Sequence, residues 1–156
     1  MKNKIFFTFL LLEILLVLGI LAYFFLDSSM IYKYIYGDVT FYQSSKQCDL
    51  HVKSCSVDIP QFGSIELDIE PKAIPLMKPL TFTVTLSKEL SDSELNLHIY
   101  ATNMNMGYYD VKMKKISRHS YQAKTTLSSC VVGGMIWRVE VVLTHESGGF
   151  LIFKTQ

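Results

Sequence analysis

From Cys48 onward the chain alternates apolar and polar residues with a period of two. Ile65, Leu67 and Ile69 alternate with Ser64, Glu66, Asp68 and Glu70. Leu80, Phe82, Val84 and Leu86 alternate with Thr81, Thr83 and Thr85. Leu95, Leu97 and Ile99 alternate with Asn96 and His98, and Val111 and Met113 with Asp110, Lys112 and Lys114. Tyr121, Ala123 and Thr125 face away from Gln122 and Lys124. Trp137, Val139, Val141 and Leu143 alternate with Arg138 and Glu140, and Phe150 to Phe153 makes a short last strand. Successive strand side chains point to opposite faces, so this pattern predicts half-buried strands. Trp137, at an inward position, is the expected core anchor. His98 is expected to be an ordinary exposed strand residue.

Turn chemistry separates the runs. Pro60 to Gly63, Glu70-Pro71, Pro75 to Pro79, Ser91 to Ser93, Ser117 to Ser120 and Ser147 to Gly149 each break the alternation. No segment after Ser29 has a helical period. Seven or eight short strands with closely spaced turns predict a mainly β domain, an immunoglobulin-like antiparallel β-sandwich.

The N-terminus follows another rule. Ile5 to Leu26 is almost entirely apolar. A helix needs about 20 such residues to cross a hydrocarbon core of about 30 Å. Lys2 and Lys4 precede it and hold that end in the cytoplasm by the positive-inside rule. A cleaved signal peptide competes, but its apolar stretch is usually about 7–15 residues with a small-x-small site after it. Asp27-Ser28-Ser29 lacks that site, which favours an uncleaved anchor. Met30 to Tyr36 carries the tyrosines of an interfacial segment. The expected organisation is a cytoplasmic end at 1–4, a transmembrane signal anchor at 5–26, a juxtamembrane connector at 27–47 and an exported domain at 48–156. The expected location is the cytoplasmic (inner) membrane, single-pass, with the C-terminal domain in the periplasm.

A formal net charge of +1 without a basic patch argues against nucleic acid as a partner. No nucleophile elbow, metal-protease histidine spacing or phosphate-cradling glycine loop is present. The chain is expected not to be an enzyme.

The chemistry-bearing segment is Asn103-Met104-Asn105-Met106-Gly107. Strand parity continued from His98 puts Met104 and Met106 on one face, and Gly107 lets the backbone turn. Two thioethers on one face suit Cu(I), which prefers sulfur donors. The competing reading is that Met fills gaps in cores and adaptable interfaces. Cys130 lies in an expected interstrand loop and supplies a third soft donor, with Met135 as a further one. Its competing reading is a small buried hydrophobe. Cys48 and Cys55 read most simply as a local disulfide, which would stabilise by about 2–3 kcal/mol. Pairing of either with Cys130, or a dithiol site, stays open. His51 between them reads as a solvated loop residue or a ligand. Glu13 interrupts the apolar run, at about 2–3 kcal/mol near a helix centre. It reads as a membrane-partner contact or as a snorkelling side chain.

A short cytoplasmic end, one anchor and a small exported β-sandwich resemble the FixH and YtkA-like group. The segment Asn103 to Gly107 and the stretch Cys130 to Trp137 also look like a subgroup of bacterial membrane-anchored proteins with Asn-Met-x-Met-Gly followed by Cys. The resemblance implies copper delivery or assembly of a respiratory oxidase. The expectation is a periplasmic Cu(I)-binding metallochaperone using Met104, Met106 and Cys130, with a membrane oxidase or copper-handling protein as partner. The alternative is a non-metal interaction or scaffold module of the cell envelope.

Overall fold

A computed structural model describes residues 2–25, 39–44, 48–104, 107–131, 133–143 and 147–155. The chain forms two compact units, Met1–Asp38 and Val39–Gln156.

The first unit contains α1 (Lys2–Phe25), 24 residues long. The side chains described in it, Lys4 and 7–20, are all exposed. They include Phe7, Leu11, Leu15 and Leu18 as well as Glu13. The helix therefore has no polar stripe opposite an apolar one. Among the described residues no helix is long and apolar enough to cross a membrane.

The second unit is mainly β. Its strands are β1 (Thr40–Gln43), β2 (Cys55–Ile59), β3 (Gly63–Glu70), β4 (Pro79–Leu86), β5 (Glu94–Ala101), β6 (Tyr108–Lys115), β7 (Ser120–Thr126), β8 (Ile136–Val142) and β9 (Ser147–Lys154). They form one nine-stranded sheet in the order β1-β9-β8-β5-β6-β7-β4-β3-β2. The sheet curls until β2 lies against β9 and β1, so it nearly closes into a barrel. The seam is visible at Gly149, where an added Cβ would stand 3.3 Å from Val57 and 3.2 Å from Ile65. Only Lys114↔Gln122 and Lys115↔Tyr121 join β6 to β7.

Alternation decides which residues fill the interior. Leu67, Ile69, Leu80, Phe82, Val84, Leu97, Ile99, Met113, Tyr121, Trp137 and Val139 are fully buried. The two large polar-tipped rings keep their hydrogen bonds. Trp137 Nε1 donates to Thr155 Oγ1 at 3.1 Å, and Tyr121 OH donates to the Asp92 carbonyl at 2.7 Å. Burying either tip unpaired would cost about 1–3 kcal/mol.

Two features depart from the sequence pattern. Nine strands replace seven or eight. The extra strand β1 falls in the segment 27–47 read as connector. It runs parallel to β9 with Phe41 opposite Gly148, so the sheet is not wholly antiparallel. The reason is steric fit. Gly148 has no side chain, and a Cβ there would meet the Phe41 ring at 2.8 Å and the Val141 carbonyl at 2.5 Å. Four residues give too short an alternation to reveal a strand whose partner lies a hundred residues away.

Candidate functional site

Strand register brings the sulfur-bearing loops to one end of the sheet. Glu70 pairs near the start of β4, Pro79 pairs with Thr126, and Ala101 with Trp137. Ile136 pairs with Lys154. The connections 71–78, 102–107 and 127–135 therefore leave the sheet at the same end. The first residue of β1, Thr40, pairs with Ser147 at the other end.

Backbone and side-chain hydrogen bonds stitch the loops of Met104 and Cys130 together. Thr102 N–H donates to the Ile136 carbonyl at 2.8 Å. Asn103 does so from both ends of its amide. Its Nδ2 donates to the Gly134 carbonyl and its Oδ1 accepts from Ile136 N–H, each at 3.0 Å. On the other side Tyr109 OH donates to Ser128 Oγ at 2.7 Å. Gly133 and Gly134 have φ of +65° and +62°, and Gly133 N–H donates to the Cys130 carbonyl at 3.1 Å. Those two left-handed positions suit glycine and fold the Cys130 loop back towards Asn103.

Cys130 is a free, half-buried thiol, and Met104 is half-buried. Both rest against the core. The strand that carries the parity expectation, β5, ends at Ala101, and Met104, in the bend beyond it, is half-buried against the core. Asn105 and Met106 lie outside the described residues, while Gly107 has the left-handed φ of +87° expected of a turn. Met135 is fully buried in the core, which removes it from an accessible site.

Cys48 and Cys55 are joined as a disulfide. His51, in the loop they close, is neither free nor a ready ligand. Its Nδ1 lies 3.0 Å from the Lys72 carbonyl and its Nε2 2.7 Å from the Lys154 carbonyl. The ring thus ties the disulfide loop to the β3–β4 connection and to the end of β9. An open groove beside this loop is lined by Cys48, Asp49, Ile136, Ile152, Phe153 and Lys154, with neither Met104 nor Cys130 on its wall.

A second cluster sits on the outer face, where sequence pattern predicts exposure. Asp110, His98, Glu140 and Phe150 form one cross-strand row, and Tyr108, Tyr100, Arg138 and Ile152 the next. His98 and Glu140 are only 4 % and 5 % exposed. His98 Nε2 is 3.6 Å from Asp110 Oδ1 and Nδ1 is 4.0 Å from Glu140 Oε2. Tyr100 OH donates to Glu140 Oε1 at 2.8 Å. Arg138 Nε lies 2.7 Å from the same oxygen without hydrogen-bond alignment. The guanidinium stacks 3.8 Å from the centre of the Phe150 ring, a favourable cation–π contact. Tyr108 lies 5.7 Å from Tyr100, stacked, and 5.2 Å from His98.

Burial pushes the His98 imidazole below its ordinary pKa, against the opposing pull of the Asp110 and Glu140 charges. The two carboxylates address opposite ring nitrogens, so the three groups do not converge on one ion. Among the described residues no group of three His, Cys, Asp or Glu side chains is placed to hold a metal. The available signal was positional: His98/Tyr100 and Arg138/Glu140 repeat at i and i+2 on strands central in the sheet. No protein-family model matches the chain, and neither a curated protein nor a solved structure matches it.

Proposed function

We propose that this is a non-enzymatic, membrane-anchored, exported protein that carries Cu(I) on Met104, Met106 and Cys130. The observation that carries the reading is the stitching of the Cys130 loop to the Met104 loop through Asn103. Thiolate and thioether donors are the set Cu(I) prefers. Copper here is cargo. An accepting protein with soft donors would replace these one at a time, and weak thioether bonds suit stepwise exchange. A membrane oxidase or its copper-supplying partner is the receiver in this reading, as the FixH and YtkA-like resemblance implies.

The anchor reading rests on α1. A helix apolar on every side needs lipid or a protein partner to cover it, and Lys2 and Lys4 set its orientation. Glu13 is then a contact for another membrane helix. The immunoglobulin-like reading rests on strand order. On that reading β2-β3-β4-β7 and β6-β5-β8-β9-β1 would be the two halves of the single sheet that act as layers, divided at the narrow β6–β7 pairing.

Titration of the detergent-solubilised full chain with Cu(I) against a competing chelator tests the copper reading. Wild type should compete, and Met104→Leu/Met106→Leu should compete at least tenfold less well. Equal competition by the two proteins would remove copper from the reading. A non-metal interaction module is the alternative, favoured by the exposed Met77 and Val131 on the same loops. A partner that stays bound in metal-free buffer, and equally to the double variant, would favour it.

A further inference from the structure

β6 is paired along nearly its whole length on one side and hardly at all on the other. Tyr108 to Lys114 pair with β5, whereas only Lys114 and Lys115 pair with β7. Two hydrogen bonds fix which backbone groups face the open side. Lys115 N–H donates to the Ser93 carbonyl, next to β5, and Ile116 N–H to the Ser120 carbonyl, on β7. Successive strand residues aim their backbone groups to alternate sides. Lys114, Lys112 and Asp110 therefore aim theirs towards β7. Lys114 pairs with Gln122 there. Among the described residues, Asp110 and Lys112 have no backbone partner on that side. Both side chains are exposed.

A free edge is a template for another strand, and many proteins guard it with lysines. β6 carries opposite charges instead. Asp110 and Lys112 flank Val111, one on each side. An antiparallel copy of β6 centred on Val111 sets Asp110 opposite Lys112 of the second copy, and Lys112 opposite Asp110 of the second copy. Opposite charges across a strand pair attract, and like charges directly opposite are destabilising. A centre at Asp110 would set two aspartates face to face, and a centre at Lys112 two lysines. The Val111 register also suits the backbone. Asp110 and Lys112 are the residues with groups aimed outward, so each exchanges hydrogen bonds in both directions with the residue opposite.

We propose that β6 joins two copies of this chain edge to edge, antiparallel, through Asp110, Val111 and Lys112. The β5–β6 part of the sheet then continues into the second copy. The pairing needs no metal and stands apart from the copper reading.

Sedimentation of the full chain in density-matched detergent, without copper, reads the association. Wild type should form dimers. Lys112→Pro removes an edge N–H that β5 does not use and should weaken the dimer at least tenfold. Lys112→Asp sets like charges opposite one another and should weaken it similarly, and Asp110→Lys/Lys112→Asp should restore it. Trp137 fluorescence checks that each variant keeps the fold. Val111→Cys in a Cys130→Ser background should form a disulfide between copies, since facing residues at such a position have Cα atoms about 4.5 Å apart. Lys124→Cys in the same background, on β7, should not. A wild type that stays monomeric, or a dimer that Lys112→Pro and Lys112→Asp leave unchanged, would overturn the pairing.

Discussion

The sulfur-bearing end and the His98–Glu140 row are built by opposite means. At the sulfur end, loops carry uncharged soft donors, half-buried or exposed, and hydrogen bonds of the Asn103 side chain and of the Thr102 and Met77 backbone hold the loops in place. In the row, sheet register alone aligns four side chains across four strands, and His98 and Glu140 are buried while Asp110 stays exposed. Side chains at the sulfur end can change without much effect on the fold. The row cannot lose Glu140 without stranding Tyr100 and Arg138. On the copper reading, the two regions separate carriage from stability within one small sheet.

Glu140→Ala should be the most damaging change of those that test this contrast. It removes the acceptor of Tyr100 and the counter-charge of Arg138, whose side chain is 26 % exposed. Breaking a buried pair costs about 3–5 kcal/mol, and the partial exposure of Arg138 places this case at about 2–4 kcal/mol. Denaturant unfolding followed by the single tryptophan, Trp137, reads it directly. A cost below 1 kcal/mol would mean that the row is not structural.

Gly148→Ala comes next. The added methyl meets a backbone carbonyl and the Phe41 ring, so β1 must shift or detach. Overpacking of this kind costs about 1–3 kcal/mol. Amide exchange at Phe41 and Tyr42 should accelerate along with the loss of stability.

His98 gives a smaller, pH-dependent effect. Its folded pKa lies below the unfolded value of about 6.5. As pH falls, the unfolded chain takes up the proton first, so unfolding is favoured. The His98 contribution is fully present above the unfolded value and is lost as pH falls through it towards the folded one. The denaturation midpoint of wild type should drop between pH 7.5 and 5, and His98→Gln should show a shallower drop. Parallel pH profiles for the two would contradict the burial of His98.

Met104→Leu should have the smallest effect on stability. A volume-conserving swap of a half-buried residue costs less than about 1.5 kcal/mol. Its effect belongs to Cu(I) competition instead. A large stability loss would make Met104 a core residue and erase the contrast with the row.

The strands and the interior were legible because period two needs only local sequence, and every residue expected inward from Ile65 to Ile69 and from Leu95 to Ile99 is buried. Burial on the outer face was not legible. A polar residue at an outward position reads as exposed, and the neighbours shown against His98 come from two other strands, β6 and β8. Parity does not reach Met104 for a related reason: it holds only while the strand continues, and β5 stops at Ala101. The pairing of Asn103 with Gly134 and Ile136 links segments more than thirty residues apart, which no local pattern encodes. The Pro75 to Pro79 segment was readable as a break, but not as the place where Met77 is held.

Alkylation of Cys130, the one free thiol, asks most directly whether the Met104 and Cys130 loops form a single site. The rate is measured on the full chain with and without one equivalent of Cu(I). Copper should protect Cys130 by at least tenfold in wild type, and Met104→Leu should abolish most of that protection. Equal alkylation rates with and without bound Cu(I), or full protection in Met104→Leu, would contradict a shared site.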